Sequence, residues 1–274
     1  MQDSDCVRFL QQVLPKLHMR WQGFRRVRKQ VCKRIQHRIS SLGLSDVDAY
    51  REYLGCHADE WPILDHACRV TVSRFYRDRV VLEHVRTEVF PALARGTTDA
   101  GDSLLRGWSA GCAMGEEAYS LVLLWDKTTG RDYPHLDIKL IGSDIDEVLL
   151  QRARRGCYTY GSLKALPDEW LHTAFTHHDN EYCLESRLRH KASFIRQDIR
   201  DQSIKGPFDI VFCRNMAFTY FDHTLQLEIL GHIHDELVNG GALVIGGHES
   251  LPEGISGFEQ WSGSKAIYRK AGNR

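Results

Sequence analysis

Hydrophobic positions along this chain follow two different rhythms. Over residues 7–43 they recur at helical spacing: Phe9, Leu10, Val13, Leu14 and Leu17 form one apolar face, and Val27, Val31, Ile35 and Leu42 form a second. The pattern predicts two amphipathic helices. Leu42-Gly43-Leu44 reads as a helix stop, and Ser45 with Asp48 as a capping box for a third helix carrying Val47, Tyr50 and Leu54. A fourth short helix is expected over residues 59–69. Another, through Val81, Val85, Val89 and Phe90, runs into a polar, glycine-bearing linker at 95–101. From residue 104 short apolar runs alternate with helical ones. Leu104, Leu105, Trp108 and Ala110 predict a buried strand, Gly111 to Gly115 a tight turn of small residues, and Glu116 the start of a helix carrying Tyr119, Leu121, Val122, Leu123 and Trp125. Further strands are expected at 138–146, 208–215 and 242–247, with a strand pair between Phe258 and Tyr268. Helices are expected at 147–155 and 223–238, the latter capped by Asp222. Residues 157–195, rich in His and Tyr, read as a small hairpin-like insert. Strands alternating with helices imply an α/β fold with a largely parallel, doubly wound sheet. An all-helical domain, 1–72, precedes a second domain, 73–274.

Composition adds boundaries. The 274 residues are 42% hydrophobic and 10% aromatic, ordinary for a globular protein. No apolar run approaches the ~18 residues of a membrane span, and the first residues lack a signal-peptide core. The eight cysteines form no CxxC pair, so free thiols in a reducing cytoplasm are expected rather than disulfides or zinc. His172, His177, His178 and His190 have no ligand spacing, and no metal is expected. The net charge of +0 conceals an asymmetry: between Cys6 and Ser45 there is no Asp or Glu, but there are ten basic residues, among them Arg25, Lys29 and Lys33. Such segregation suggests a surface that docks an acidic protein partner; nucleic acid is not expected, because no RNA-binding module is present.

Candidate chemistry lies at the strand ends, where open α/β sheets bind their ligands. The small-residue turn at 111–115 lets a ligand approach bare main-chain N–H groups at a helix N-terminus. Asp144 is one of the two acids at the end of the second strand, where a carboxylate can grip both hydroxyls of a ribose. Arg214 and Asn215 end a central strand. The turn lacks the G-x-G-x-x-G spacing of a pyrophosphate site. That combination points to a nucleoside without phosphates, S-adenosylmethionine.

Trp108-Ser-Ala-Gly-Cys-Ala-Met-Gly-Glu-Glu-Ala-Tyr-Ser120, Ser143-Asp-Ile-Asp146, Phe212-Cys-Arg-Asn215 with Tyr220-Phe-Asp222, and Gly247-His-Glu-Ser250 stand in this order. Together they resemble the CheR-type family of S-adenosylmethionine-dependent methyltransferases, which esterify glutamates of bacterial chemoreceptors. The resemblance spans nearly the whole chain. It implies a Rossmann-like class I methyltransferase sheet with a small inserted β subdomain. It also implies that Glu116 contacts the methionine end of the cofactor, Asp144 the ribose, and Asp198 with Ile199 the adenine. Arg214 and Asn215 would close the pocket near the sulfonium. Ser73 and Arg77 match the Thr and Arg of the family's N-x-T-x-F-F-R motif, where Thr71 replaces the Asn; with Ala110 these complete the implied cofactor set. Tyr220 corresponds to the family's active-site Tyr, and Arg77 and Tyr220 are the candidates to orient the acceptor. Two departures flank the acceptor site: the segment from Cys213 to Asp222 is one residue longer than the family pattern, and Gly-His-Ser-Glu has become Gly247-His-Glu.

A carboxylate acceptor, ionised at neutral pH, needs no general base; an amine or hydroxyl acceptor would, with His248 or Glu249 as the candidate. A protein carboxylate is therefore the leading acceptor. The alternatives are another acceptor, small molecule or protein side chain, and a catalytically weak adaptor that binds the cofactor.

Overall fold

The computed structural model describes residues 2–201 and 204–272. The chain packs as two compact units, Met1–Thr71 with Thr219–Gln226, and Val72–Phe218 with Leu227–Arg274.

The first unit is helical. Asp3–Val13 buries Cys6, Phe9, Leu10 and Val13, and Arg28–Ser41 buries Val31, Ile35 and Ile39, so both apolar stripes face a core, as amphipathic periodicity requires. Arg25, expected on the second helix, instead follows a four-residue helix, Trp21–Phe24, and lies ahead of Arg28–Ser41. The third helix, Val47–Cys56, is capped by Asp46 and not by Ser45: the Asp46 carboxylate accepts the N–H groups of Asp48 and Ala49. Glu60–Cys68 is the fourth. Glu60 is a buried carboxylate, satisfied by Arg38 (Nε 2.9 Å, Nη2 2.6 Å) and the Tyr50 hydroxyl (2.7 Å). Its pKa is lowered, chiefly by the Arg38 hydrogen bond.

The second unit is built on a seven-stranded sheet. Its strands are β1 (Leu104–Ala110), β2 (Asp137–Asp144), β6 (Ala192–Arg196), β7 (Phe208–Phe212), β8 (Leu237–Val244), β9 (Phe258–Gln260) and β10 (Ile267–Lys270), in the order β6-β2-β1-β7-β8-β10-β9. The first five are mutually parallel, and β10 runs antiparallel to β8 and β9. The chain steps outward from β1 through β2 to β6, then returns to β7 on the other side, which puts the reversal of strand order between β1 and β7. This is the Rossmann-like arrangement. β3 (Cys157–Tyr158), β4 (Phe175–His178) and β5 (Glu181–Leu184) form a separate small sheet.

Several boundaries differ from the sequence reading. Residues 192–195, expected in the insert, form with Arg196 a strand of the main sheet paired along β2. The linker expected at 95–101 is mostly helix, because Phe90–Asp99 continues with Ala94 and Thr97 buried. Four cysteines are not free. Cys6 is bonded to Cys32, and Cys157 to Cys183. Both pairs are 26 residues apart and are brought together by tertiary structure: Cys157 and Cys183 are register partners across β3 and β5.

Candidate active site

The turn after β1 is shaped for close approach. Gly111 and Gly115 have φ of 69° and 86°, and Ala113 of 50°, in the left-handed region that disfavours residues with a Cβ. A Cβ on Gly115 would lie 2.9 Å from Ala153 Cβ and 3.0 Å from Phe194 Cζ. Gly115 caps the Glu116–Lys127 helix, so its first N–H groups open onto the end of the sheet.

Asp144, the last residue of β2, is fixed from two sides. Its Oδ2 accepts the N–H of Ala113 at 2.9 Å, and its Oδ1 the N–H of Asp146 at 3.0 Å. The main chain thus sets the orientation of this carboxylate at the strand end.

Glu116 is fully buried. Its Oε1 accepts from the Ser162 hydroxyl at 3.0 Å, and Ser73 stands beside the carboxylate and favours its ionised form. Oε2 has no partner. Burial raises its pKa, opposed by the two serines. A buried carboxylate oxygen without a donor is costly unless a ligand supplies one.

Arg214, directly after Cys213 at the end of β7, has a side chain only 2% exposed. Its Nη1 donates to Glu117 Oε2 at 3.0 Å, and its Nη2 to Asp78 Oδ2 at 2.6 Å and the Arg77 carbonyl at 3.0 Å. Glu117 Oε1 accepts from Ser109 on β1 at 2.8 Å. Burial opposes the ionisation of Asp78, but Arg214 and Asn215 more than offset it and hold its pKa low. This ion knot ties the 77–78 segment to the ends of β1 and β7. Four non-glycine residues with positive φ lie on these segments: Tyr76 (54°), Asp78 (58°), Ala113 (50°) and Asn215 (54°). Such strain persists only where surrounding contacts over-determine it, and it gathers at working sites.

A model of the CheR methyltransferase S-adenosylmethionine-binding domain matches residues 71–267. Chemotaxis protein methyltransferase 2 of Vibrio cholerae is 30% identical over 91% of this chain and 86% of its own. The chain belongs to the CheR methyltransferase family. The chemotaxis protein methyltransferase of Escherichia coli is 31% identical over 82% of this chain and 77% of its own, and a probable one from Rhizobium etli 30% over 81% and 84%. As a member of this family the chain is an S-adenosylmethionine-dependent methyltransferase.

The residues of the strand-end site fit that cofactor. The unpartnered Glu116 Oε2 suits the α-ammonium of its methionine end, the pinned Asp144 suits its ribose, and the glycine turn leaves main-chain N–H groups within reach. Ser73, Arg77, Ala110, Glu116, Asp144, Arg214 and Asn215 all lie on segments converging at the carboxyl ends of β1, β2 and β7. Ala110 is buried as the last residue of β1. Arg77 donates to the Val72 carbonyl at 2.5 Å. Asp198 is less free than the sequence suggested. It follows β6, where Arg200 donates to its carboxylate through Nε at 2.9 Å and Nη2 at 2.5 Å, and Ile199 beside it is buried. Thr71 and Tyr220 belong to the helical unit. There the Tyr220 ring packs 5.0 Å from Phe24, and its carbonyl accepts the Arg20 N–H at 2.8 Å. The sequence reading gave no role to Asp78, Glu117 or Ser162. Asp78 and Glu117 each adjoin a residue it did select, the only signal that was available.

If Glu116 holds an ammonium group, cofactor affinity depends on its charge. Because burial raises its pKa, the ionised form is lost at a higher pH than for an ordinary carboxylate. Affinity should therefore fall as pH drops into the mildly acidic range, and Glu116→Gln should flatten that fall, from a weaker starting value. Calorimetry across pH checks it; an unchanged profile in the variant would remove this role.

Proposed function

We propose that this protein esterifies glutamate side chains of an acidic protein acceptor, with residues 73–274 as the catalytic domain, 157–191 as its insert, and 1–72 as the docking domain. The observation that carries the reading is the engagement of Glu249: its Oε2 already accepts two main-chain N–H groups, from Asn215 at 2.8 Å and Gly246 at 2.6 Å. Of the two residues able to serve as a base, one is thus committed to the fold, and the other, His248, is exposed in the turn after β8. A carboxylate acceptor, with a pKa near ~4.3, has no proton to lose at neutral pH.

Bound at the strand ends, S-adenosylmethionine supplies a methyl group on a positively charged sulfur. The chain's own groups then do three things. Glu116 and Asp144 fix the two ends of the cofactor, which sets the direction of approach. Ala110, Asp198, Ile199 and Asn215 bound the pocket, and Ser73 favours the ionised form of Glu116. Arg77 orients the acceptor by a charge-assisted hydrogen bond. Tandem mass spectrometry of the labelled acceptor tests the assignment: the added methyl should map to glutamate. A methyl on lysine, or on a small acid alone, would favour the other-acceptor reading. Cofactor binding without any transfer would favour the adaptor.

Docking on the basic helix belongs to the same proposal. Lys29 and Lys33 are exposed and line a groove of about 430 Å³ with Cys6, Cys32, His37 and Ser40. By contrast, Arg34 and Arg38 are drawn inward to the Arg69 carbonyl and Glu60, and Arg28 is paired with Asp3 at the surface. Replacing Arg25, Lys29 and Lys33 together by Glu should raise the acceptor's KM at least tenfold at low salt, and less at high salt, where charges are screened over ~10 Å at 0.1 M. Cofactor affinity should hold. Equal KM values would remove the docking role. Among the described residues no helix is long and apolar enough to cross a membrane. The cytoplasm is our proposed compartment, and a thiol titration of protein isolated under alkylation tests it. Eight reactive thiols would bear it out; four, with Cys6–Cys32 and Cys157–Cys183 closed as the structure has them, would place the protein in an oxidising compartment instead.

A further inference from the structure

Glu249 does more than decline the part of a base. Besides accepting from Asn215 and Gly246, it donates its own N–H to the Gly246 carbonyl at 2.9 Å, so the turn after β8 folds back on itself. A Cβ on Gly246 would lie 2.8 Å from Glu249 Oε2 and 2.7 Å from Asn215 Oδ1. The clamp therefore closes over a position with room only for hydrogen. Asn215 is held at a φ of 54°, in the left-handed region that an Asn enters more readily than other residues with a Cβ but keeps only where contacts hold it. From there its Nδ2 lies 3.3 Å from Asp78 Oδ2, on the ion knot. One carboxylate thus joins the ends of neighbouring strands β7 and β8 and sets the residue that leads into Met216 and Ala217.

We propose that Glu249 is a positioning residue for methyl transfer: it holds Asn215 in its left-handed conformation at the end of β7. The proposal rests on the reading of the strand ends as the S-adenosylmethionine site. Charge-assisted N–H···O⁻ bonds are about twice as strong as neutral ones. The clamp can therefore offset the cost of the Asn215 backbone, and its loss lets that backbone relax. A shift of about 1 Å in a positioned group costs on the order of a hundredfold in rate.

The test uses the full chain with Glu249→Ala and Glu249→Gln. Amide hydrogen exchange is followed at Asn215 and Gly246 without cofactor, and kcat, acceptor KM and S-adenosylhomocysteine affinity are measured alongside. Glu249→Ala should speed exchange at both amides and lower kcat roughly 10- to 100-fold, with acceptor KM within about threefold. Glu249→Gln keeps an acceptor oxygen and should rescue most of that loss with a wild-type pH profile. The proposal is overturned if Glu249→Ala leaves exchange and kcat unchanged. It is equally overturned if Glu249→Gln is as slow as Glu249→Ala and removes an ionisation from the pH profile, since Glu249 would then be the proton acceptor. Should Glu249→Ala not fold, Glu249→Gln decides alone. A wild-type protein that neither binds S-adenosylhomocysteine nor transfers methyl would sink the reading of the site, while the exchange rates would still decide on the clamp.

Discussion

Asp144→Ala weakens S-adenosylmethionine binding by about 1.5–3 kcal/mol, roughly 10- to 150-fold. The loss has two sources. The carboxylate is the group proposed to take the ribose diol, and hydrogen bonds to a charged acceptor are the stronger kind. It also anchors the turn, since both its oxygens receive main-chain N–H groups, from Ala113 and Asp146. Asp144→Asn separates the two. Its single amide oxygen can keep one anchor but not both, so its affinity should fall between wild type and Ala. Titration calorimetry with S-adenosylhomocysteine measures this; an Ala variant with wild-type affinity would move the ribose site elsewhere.

Arg214→Met should cost about 3 kcal/mol of stability and lower the melting temperature by roughly 6–12 °C. The side chain is 2% exposed and faces two carboxylates, Asp78 and Glu117. Removing the guanidinium leaves both without their counter-charge, which is the expensive way to break a buried ion pair. The figure sits at the low end of the usual 3–5 kcal/mol because Asp78 is about one-third exposed (32%), and water screens it. Arg214→Lys should lie between, since one ammonium cannot reproduce a forked grip on two acids and a carbonyl. A melting temperature within about 2 °C of wild type would show that the knot is not structural.

That expectation differs from what the sequence suggested for Arg214, and the reason is physical. A charged residue ending an apolar strand looks like a ligand-binding group. Its partners lie 97 and 136 positions away, and no local pattern announces them. Glu116 and Glu117 pose the same difficulty. Adjacent residues on a helix point about 100° apart, so one of the two acids meets the serines and the other the arginine. Composition cannot say which. Where chemistry depends on local order, the reading held. Strand, turn and helix from Leu104 to Lys127 lie where apolar spacing put them, and β2 lies within a residue of its expected start but closes at Asp144, two residues short of the expected Asp146. It weakened where short polar segments are recruited by neighbours. β6 has one buried residue, Phe194, and is a strand because β2 pairs with it. The cysteine pairs likewise follow from which helices and strands are adjacent.

The central claim is that the bond formed is a methyl ester on a protein carboxylate, made without a base. The most direct measurement is transfer of a tritiated methyl from S-adenosylmethionine to protein in a cell lysate, followed by mild alkaline hydrolysis. The label should enter protein and then leave it as volatile methanol within minutes, because a carboxylic ester is cleaved by hydroxide and an N-methyl group is not. Label that stays on protein through alkali, or enters only small molecules, would contradict the account.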